Sequence, residues 1–359
     1  MDIKRPLTIA LFAVVGVSSC GGSDSSTQTS TTTGLVTEEP STTVSVASLQ
    51  HVFEVDHFAA GAIIGDPITE ECTLSEGAVT TCVRVTIAGY PAGYDVGPFC
   101  PETITASADE AGIWFDGNGV YDLDGSFISN LAQFYGDPEW KMYDEEGNVN
   151  VTDTPEAFEG AARPDVDPQY QNYCVEGRLE WLDGGVPVQT TVVIPVQPVM
   201  ASSTSSSHPG NFGITLDGVV VAESAPVDAI LGAHTIAAFD DCGGHFNPAA
   251  GYHLHGAMGC GHLETDLGDG ETGLFGYAID GFPIHMPFEG EMLAAANLDE
   301  CNGHSTAAGG YHYHANSASE NAILPCLLGQ YVPAGEAAGR PPRGAGPDLS
   351  GAAEALGGG

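Results

Sequence analysis

Short runs of alternating or β-branched residues dominate the chain between residues 50 and 200. Examples are HVFEVDHF (51–58), TCVRVTIAGY (81–90) and QTTVVIPVQPV (189–199), and Gly, Pro and Asp separate the runs from one another. Period-two alternation bounded by turn residues predicts short β-strands. Only ISNLAQFY (128–135) and GEMLAAANL (290–298) have the spacing of apolar residues expected for short helices. The pattern therefore predicts a mainly β fold with few short helices.

The C-terminal half contains the same unit twice. FGITLDGVVV (212–221) matches FGYAIDGFPI (275–284), and DDCGGHFNPAAGYHLH (240–255) aligns without a gap with DECNGHSTAAGGYHYH (299–314). Asp-Gly between two apolar runs predicts a β-hairpin whose two central residues have positive φ. We therefore define repeat 1 as residues 212–256 and repeat 2 as residues 275–315, each a hairpin followed by a Cys-x-Gly-His and Tyr-His-x-His element. The polar stretch ASSTSSSHPGN (201–211) is either a linker or a long loop.

The first 20 residues have the pattern of a bacterial lipoprotein signal peptide. Lys4 and Arg5 precede an apolar run, which is followed by the sequence VSSC (17–20). We expect Cys20, the last residue of this sequence, to carry a lipid anchor. An ordinary signal peptide with an incidental cysteine is the alternative. Residues 21–48, rich in Ser and Thr, predict a disordered tether, residues 49–333 one β-rich domain, and residues 334–359 a disordered Ala/Gly/Pro tail. We therefore expect an extracytoplasmic protein anchored by lipid, at the outer membrane or cell surface rather than the inner membrane.

Eight cysteines remain after the expected anchor, and an even number in an exported chain predicts disulfides. Eight cysteines allow 105 pairings. Proximity in sequence favours three pairs, Cys72 with Cys82, Cys242 with Cys260, and Cys301 with Cys326, which leaves Cys100 to pair with Cys174.

The chain has 48 acidic and 8 basic residues, which gives a formal net charge of −40. A nucleic-acid partner is excluded because phosphate would be repelled. No Lys or Arg lies between Arg178 and Arg340, so any buried carboxylate there lacks a basic side chain to pair with. A bound cation is one natural partner, and a solvated acidic surface suited to a saline habitat is the other explanation.

The repeated histidines are the best candidates for chemistry. In an extended segment alternate side chains share a face, so His253 and His255, like His312 and His314, lie side by side. A third histidine precedes the Tyr-His-x-His element by the same interval in both repeats, at His245 and His304. Three histidines with an open position are typical of a catalytic zinc, and imidazole also binds copper.

Other residues near the repeats are weaker candidates. His262 and His285 have no counterpart in the other repeat and are possible additional ligands. Asp240 and Asp299 could orient a ligand or act as a base. The segment DLGDGE (266–271) contains acidic residues of the kind that bind calcium, but they lack the spacing of an EF-hand loop. We therefore interpret the segment as a turn.

The segments AIDGFPIH (278–285) and LDECNGHSTAAGGYHYH (298–314) resemble the YHYH domain family of exported bacterial proteins. The resemblance covers residues 210–330 firmly and 80–200 loosely. It departs from the family pattern at YHLH (252–255) and at His285. The family implies no settled activity, so function has to be inferred from the site.

Three hypotheses follow from the sequence. The histidines could hold zinc or copper in a hydrolase or oxidoreductase, could capture the metal at the cell surface without turnover, or could be core residues of a structural or adhesive module. We expect the protein to bind a metal ion or a small molecule, and to contact a membrane only through its lipid anchor. The Tyr or Leu face of each element has to be buried, so we predict that both repeats meet about a pseudo-twofold axis with their histidines facing one shared metal-binding cleft.

Overall fold

The structure, a computed structural model, describes residues 53–333 except 164, 207–210, 266 and 269. The predicted signal peptide with Cys20, the tether and the tail lie outside the described residues, and no structural statement is made about them. The strands before the repeats are β1 (Ile68–Thr73), β2 (Val79–Ile87), β3 (Ile113–Phe115), β4 (Val120–Asp122), β5 (Cys174–Val175), β6 (Thr190–Pro195) and β7 (Met200–Ser205). The strands that follow are β8 (Asn211–Thr215), β9 (Val220–Ala222), β10 (Ile236–Ala237), β11 (Gly244–Asn247), β12 (Gly251–Leu254), β13 (Leu274–Ala278), β14 (Pro283–His285), β15 (Gly303–Thr306), β16 (Gly310–His314) and β17 (Leu327–Gly329). The prediction of a mainly β fold is confirmed.

Four short α-helices are present among the described residues. They are α1 (Gly125–Phe134), α2 (Pro155–Ala161), α3 (Val227–Gly232) and α4 (Gly290–Ala295). Helices α1 and α4 were predicted from the sequence. Helix α2 was not, although the Thr154 side chain caps it by accepting from the Ala157 N–H. Within the described ranges no helix is both long and apolar enough to cross a bilayer.

An eight-stranded sheet with the order β11-β12-β9-β8-β13-β14-β16-β15 forms the centre of the protein. Strands β8 and β9, and likewise β13 and β14, form the two predicted antiparallel hairpins. The turns are longer than predicted, and positive φ is confined to Gly218 and Gly281. The Thr215 N–H donates to the Val219 carbonyl across three residues, so a three-residue loop replaces the expected two-residue loop. Smaller sheets, one with the order β1-β2-β6 and others of two strands each, complete the fold.

Both repeats pair their strands with the same register. In repeat 1 the parallel strands β12 and β9 place Leu254 opposite Val221, and in repeat 2 β16 and β14 place Tyr313 opposite Ile284. The order of strands in repeat 2 is the reverse of that in repeat 1, and β8 and β13 meet in the middle. The polar stretch ahead of repeat 1 is no simple linker, because its first residues belong to β7, which pairs with β17.

The apolar faces of both repeats contribute to one core. Tyr252 and Leu254 from repeat 1 and Phe282 and Tyr313 from repeat 2 are buried in the same cluster. A shared core was the reason for predicting that the repeats meet, and this part of the prediction is correct.

Four disulfides stabilise the domain. They join Cys72 to Cys82, Cys100 to Cys174, Cys242 to Cys260, and Cys301 to Cys326, which are the three pairs that proximity favoured and the pair that remained. Disulfides persist in oxidising compartments, so the domain is compatible with an extracytoplasmic location.

Candidate metal centres

Strand pairing brings three histidines together in each repeat. In repeat 1 His245 on β11 lies directly opposite His253 on β12, and in repeat 2 His304 on β15 lies opposite His312 on β16. The third histidine lies two residues further along, where a strand presents the same face again. His245, His253 and His255 form what we call the first site. The second site contains His304, His312, His314 and Glu271.

The donor atoms of the second site enclose a volume of the size of a metal ion. The Nε2 atom of His304 lies 2.9 Å from that of His312 and 3.3 Å from that of His314. The Oε2 atom of Glu271 lies 3.5, 3.7 and 3.5 Å from the Nε2 atoms of His304, His312 and His314. A zinc ion with bonds of about 2.0–2.1 Å places tetrahedral donors about 3.3–3.4 Å apart. All four donors can therefore reach one ion.

The other ring nitrogens of the second site contact backbone carbonyl groups. The Nδ1 atoms of His304, His312 and His314 lie 3.1, 3.2 and 3.0 Å from the carbonyl oxygens of Ala296, Gly310 and Met286. A carbonyl only accepts, so each Nδ1 carries a proton, and in a neutral imidazole the lone pair is then on Nε2. Three lone pairs that converge at about 3 Å repel one another unless a cation lies between them.

The first site repeats this arrangement without the carboxylate. The Nε2 atoms of His245 and His253 are 3.2 Å apart, and the Nδ1 atom of His253 lies 3.0 Å from the Gly251 carbonyl oxygen. All three candidate donor atoms lie within 4.8 Å of one another. Among the described residues this group has three members, whereas the second site has four.

Burial keeps His253 and His312 neutral, which is the form that binds metal. Desolvation lowers the pKa of His253 to about 4. Desolvation, with smaller contributions from the neighbouring His285, His314 and His304, lowers the pKa of His312 to about 3. These imidazoles therefore do not need to lose a proton when an ion binds near neutral pH.

The space around the two sites differs because the repeats differ at two positions. In repeat 2, the ring of Phe288 stacks on His314 with centroids 3.8 Å apart, and the ring of His285 lies 4.7 Å from that of His312. Phe212 and Phe275 are equivalent residues of the two repeats and lie 63 residues apart. By the same offset, Phe288 corresponds to Ala225 of repeat 1, and His285 corresponds to Ala222. Both alanines line a cavity of about 310 Å³ whose wall includes His245, His253 and His255. The first site is therefore open to a cavity where the second is packed.

The shared cleft predicted from the sequence is wrong. Four strands separate β12 from β16 in the sheet, and five steps of about 4.8 Å correspond to a distance on the order of 24 Å. Each set of three histidines gathers within its own repeat instead. The hydrophobic pattern required a common core, but it did not specify which strands lie at the centre of the sheet.

The remaining candidates have other roles. One Asp240 carboxylate oxygen accepts the N–H groups of Cys242 and Gly244, and the other accepts the Tyr252 hydroxyl at 2.7 Å. Asp299 makes the corresponding three hydrogen bonds in repeat 2. Neither carboxylate belongs to a metal-binding group or lines the cavity. They hold the loop that leads into the histidine hairpin, and a role for them in orienting a ligand or acting as a base stays a prediction.

His262 and His285 do not add ligands to either group of described residues. The His262 side chain is exposed, and its backbone N–H donates to Asp217 at 2.7 Å. His285 is buried beside the second site, and its Nδ1 atom lies 2.5 Å from the Thr272 carbonyl oxygen.

Glu271 was missed in the sequence. It ends the segment DLGDGE, which we interpreted as a turn, and it precedes repeat 2 by four residues. The only signal was its position just before the first strand of a histidine-containing repeat, and the matching position before repeat 1 is occupied by His208 rather than by an acid.

Comparison with known proteins gives one match. The model of the family described as YHYH protein matches residues 191–297. This segment includes all of repeat 1 and the first hairpin of repeat 2, and it ends before Tyr311. No curated protein and no solved structure matches the chain. The resemblance to the YHYH family is therefore confirmed over residues 191–297.

Proposed function

We propose that this protein is an extracytoplasmic metalloprotein with one working metal site and one structural metal site. The first site holds a divalent ion, zinc or copper, and acts on a small molecule that enters the adjoining cavity. The second site holds an ion permanently. The observation that carries this proposal is the difference, among the described residues, between three donors beside a cavity and four donors under packed rings.

The number of protein ligands supports this division of roles. Structural zinc sites have four protein ligands, whereas catalytic sites have three and leave a position for water or substrate. A zinc ion held by three histidines supplies an activated water molecule near neutral pH. Hydrolysis is therefore the reaction class that we propose, and an oxidation is the alternative if the native ion is copper.

The chain's own residues prepare the first site. Burial keeps His253 neutral, and the Gly251 carbonyl fixes the orientation of its ring. The ring of Phe239 packs against His245 with centroids 4.5 Å apart and excludes water from one side of the site. Water and substrate have access from the cavity, on the side where Ala222 and Ala225 leave space.

The location that we propose is the cell surface, with Cys20 carrying the lipid anchor. Four disulfides and the signal-like sequence before Cys20 support an oxidising compartment. We propose no nucleic-acid partner, because the net charge of −40 would repel phosphate.

Cobalt substitution tests the open coordination position. Cobalt(II) bound in the full-length protein should give a visible spectrum of which only one part shifts when azide is added. His245→Ala should remove the azide-sensitive part and His304→Ala the insensitive part. A spectrum that azide leaves unchanged would contradict an open first site. His208→Ala is a necessary control: His208 lies outside the described residues, and the proposal predicts that its loss leaves the cobalt content unchanged.

Turnover is tested separately. The zinc-loaded protein should hydrolyse 4-nitrophenyl acetate faster than His245→Ala does, and His304→Ala should retain that activity at a temperature where it remains folded. Equal rates for the wild-type protein and His245→Ala would favour the alternative, a metal-capturing protein without turnover.

A further inference from the structure

The cavity beside the first site is lined mainly by small and apolar side chains. Val175, Val220, Ile230 and Phe246 contribute to its wall, together with several alanines. A volume of about 310 Å³ is at the lower end of the range of small-molecule sites. Such a cavity fits a molecule with an apolar body about the size of one aromatic ring or a short acyl chain.

The charges in the cavity favour a single anionic group on that molecule. Apart from the histidines, Arg163 is the only basic residue among the described residues of the lining and Glu223 the only acidic one. Three neutral imidazoles leave the charge of a divalent ion uncompensated, so an anionic oxygen is a favourable additional ligand. A phosphate dianion needs several basic partners, and the cavity offers one. A monocarboxylate matches this charge.

Arg163 can interact with such a carboxylate. Its side chain is half-exposed, and its Nε atom donates to the Asp165 carbonyl oxygen at 2.9 Å and lies 3.4 Å from the Asp165 Oδ1 atom. Asp165 is 85% exposed, and ion pairs at such positions contribute little. A carboxylate ligand in the cavity can therefore compete for the guanidinium group.

We infer that the first site binds small monocarboxylates with an apolar body, and that Ala225 and Ala222 provide the room for that body. This inference rests on the proposed function, because the carboxylate takes the open position of the ion. In repeat 2 the equivalent space is filled by Phe288 and His285, so the second site admits no such ligand.

The test is a ligand titration of the cobalt-loaded full-length protein, followed in the visible spectrum. Acetate presents the carboxylate alone, whereas benzoate and hexanoate add an apolar body. We expect benzoate and hexanoate to bind at least about tenfold more tightly than acetate, because burial of apolar surface stabilises the complex. Ala225→Phe should abolish this preference and leave the cobalt content unchanged. Ala294→Phe, on the exposed face of α4, is the matched control and should keep the preference.

A second variant covers the case in which Ala225→Phe does not fold. Arg163→Gln should weaken the binding of acetate and of benzoate by the same factor, at least about threefold, without a change in metal content. Equal affinities for acetate and benzoate in the wild-type protein would overturn the inference while leaving the metal site intact. A protein that binds no cobalt at the first site would overturn the proposed function instead.

Discussion

Ile214 lies directly opposite Tyr277 in the antiparallel pair of β8 and β13, and these two residues occupy the same position in their repeats. A residue paired with its own counterpart marks the position of an approximate twofold axis. The strands on either side of this pair follow in mirrored order. Each histidine hairpin therefore lies at an outer edge of the sheet, as far from the other as the sheet allows.

We expect Glu271→Gln to accelerate release of the ion from the second site. An amide oxygen carries no charge, so the ion loses its only anionic ligand among the described residues. Transfer of zinc to a chromogenic chelator should become at least about tenfold faster for one of two ions, in line with the loss expected at metal sites. Glu291→Gln, an exposed acid on α4, should leave both rates unchanged. Two unchanged rates in Glu271→Gln would show that Glu271 is not a ligand.

We expect Asp240→Ala and Asp299→Ala to lower the stability of the fold rather than the rate of turnover. Asp240 accepts from three backbone N–H groups and one tyrosine hydroxyl, and Asp299 accepts from two backbone N–H groups and one tyrosine hydroxyl. Each lost hydrogen bond costs about 1 kcal/mol. We expect the free energy of unfolding to fall by about 2–4 kcal/mol, with two ions still bound after reconstitution. Thermal unfolding and metal analysis measure these quantities. A variant that keeps its stability and loses only turnover would support the earlier interpretation of these acids as catalytic.

Each repeat's disulfide should protect its own metal site. Cys242 and Cys301 each lie three residues before a histidine ligand, and the bond to Cys260 closes a loop of 18 residues. Replacing Cys242 and Cys260 with Ser should lower the free energy of unfolding by about 3 kcal/mol and release the first ion faster. Replacing Cys301 and Cys326 is the matched control and should affect the second ion. Loss of both ions in both variants would indicate global unfolding instead.

Asp280 should make the protein less stable as the pH rises. Its carboxylate is fully buried, and desolvation raises its pKa to about 6, although hydrogen bonds from Tyr313 and from the backbone oppose the shift. Because the folded state holds this proton more tightly than the unfolded state, the contribution is fully present below about pH 4 and is lost between about pH 4 and 6. The contribution of Asp280 to the free energy of unfolding falls by roughly 3 kcal/mol over this pH range.

The comparison of Asp280→Asn with the wild-type protein isolates this effect. The difference in the free energy of unfolding between the two proteins should change by that amount between pH 4 and 6, because Asn does not titrate. A constant difference across this range would show that Asp280 has an ordinary pKa.

The sequence predicted most of the candidate ligands because their pattern is local. The spacing of His253 and His255 determines which face of a strand they share, and the hairpin places His245 opposite His253 whatever the rest of the fold does. Sequence proximity likewise predicted the disulfide between Cys242 and Cys260.

Three features depend on long-range packing and could not be predicted. The order of strands in the sheet places β8 and β13 in the centre, which separates the two sets of histidines. Glu271 reaches the second site from outside the repeat, so no spacing within the repeat identified it. The open cavity depends on the size of Ala222 and Ala225, which has meaning only once Phe288 and His285 are seen in the equivalent space.

The most direct test of two separate and unequal metal sites is the metal content of the full-length protein after reconstitution with zinc. His245 and His304 are equivalent and are only partly buried, so they form a matched pair for substitution. We predict two ions in the wild-type protein, one in His245→Ala, one in His304→Ala and none in the double variant. Loss of all zinc in either single variant would indicate one shared site, and a wild-type protein without zinc or copper would show that the histidines are structural.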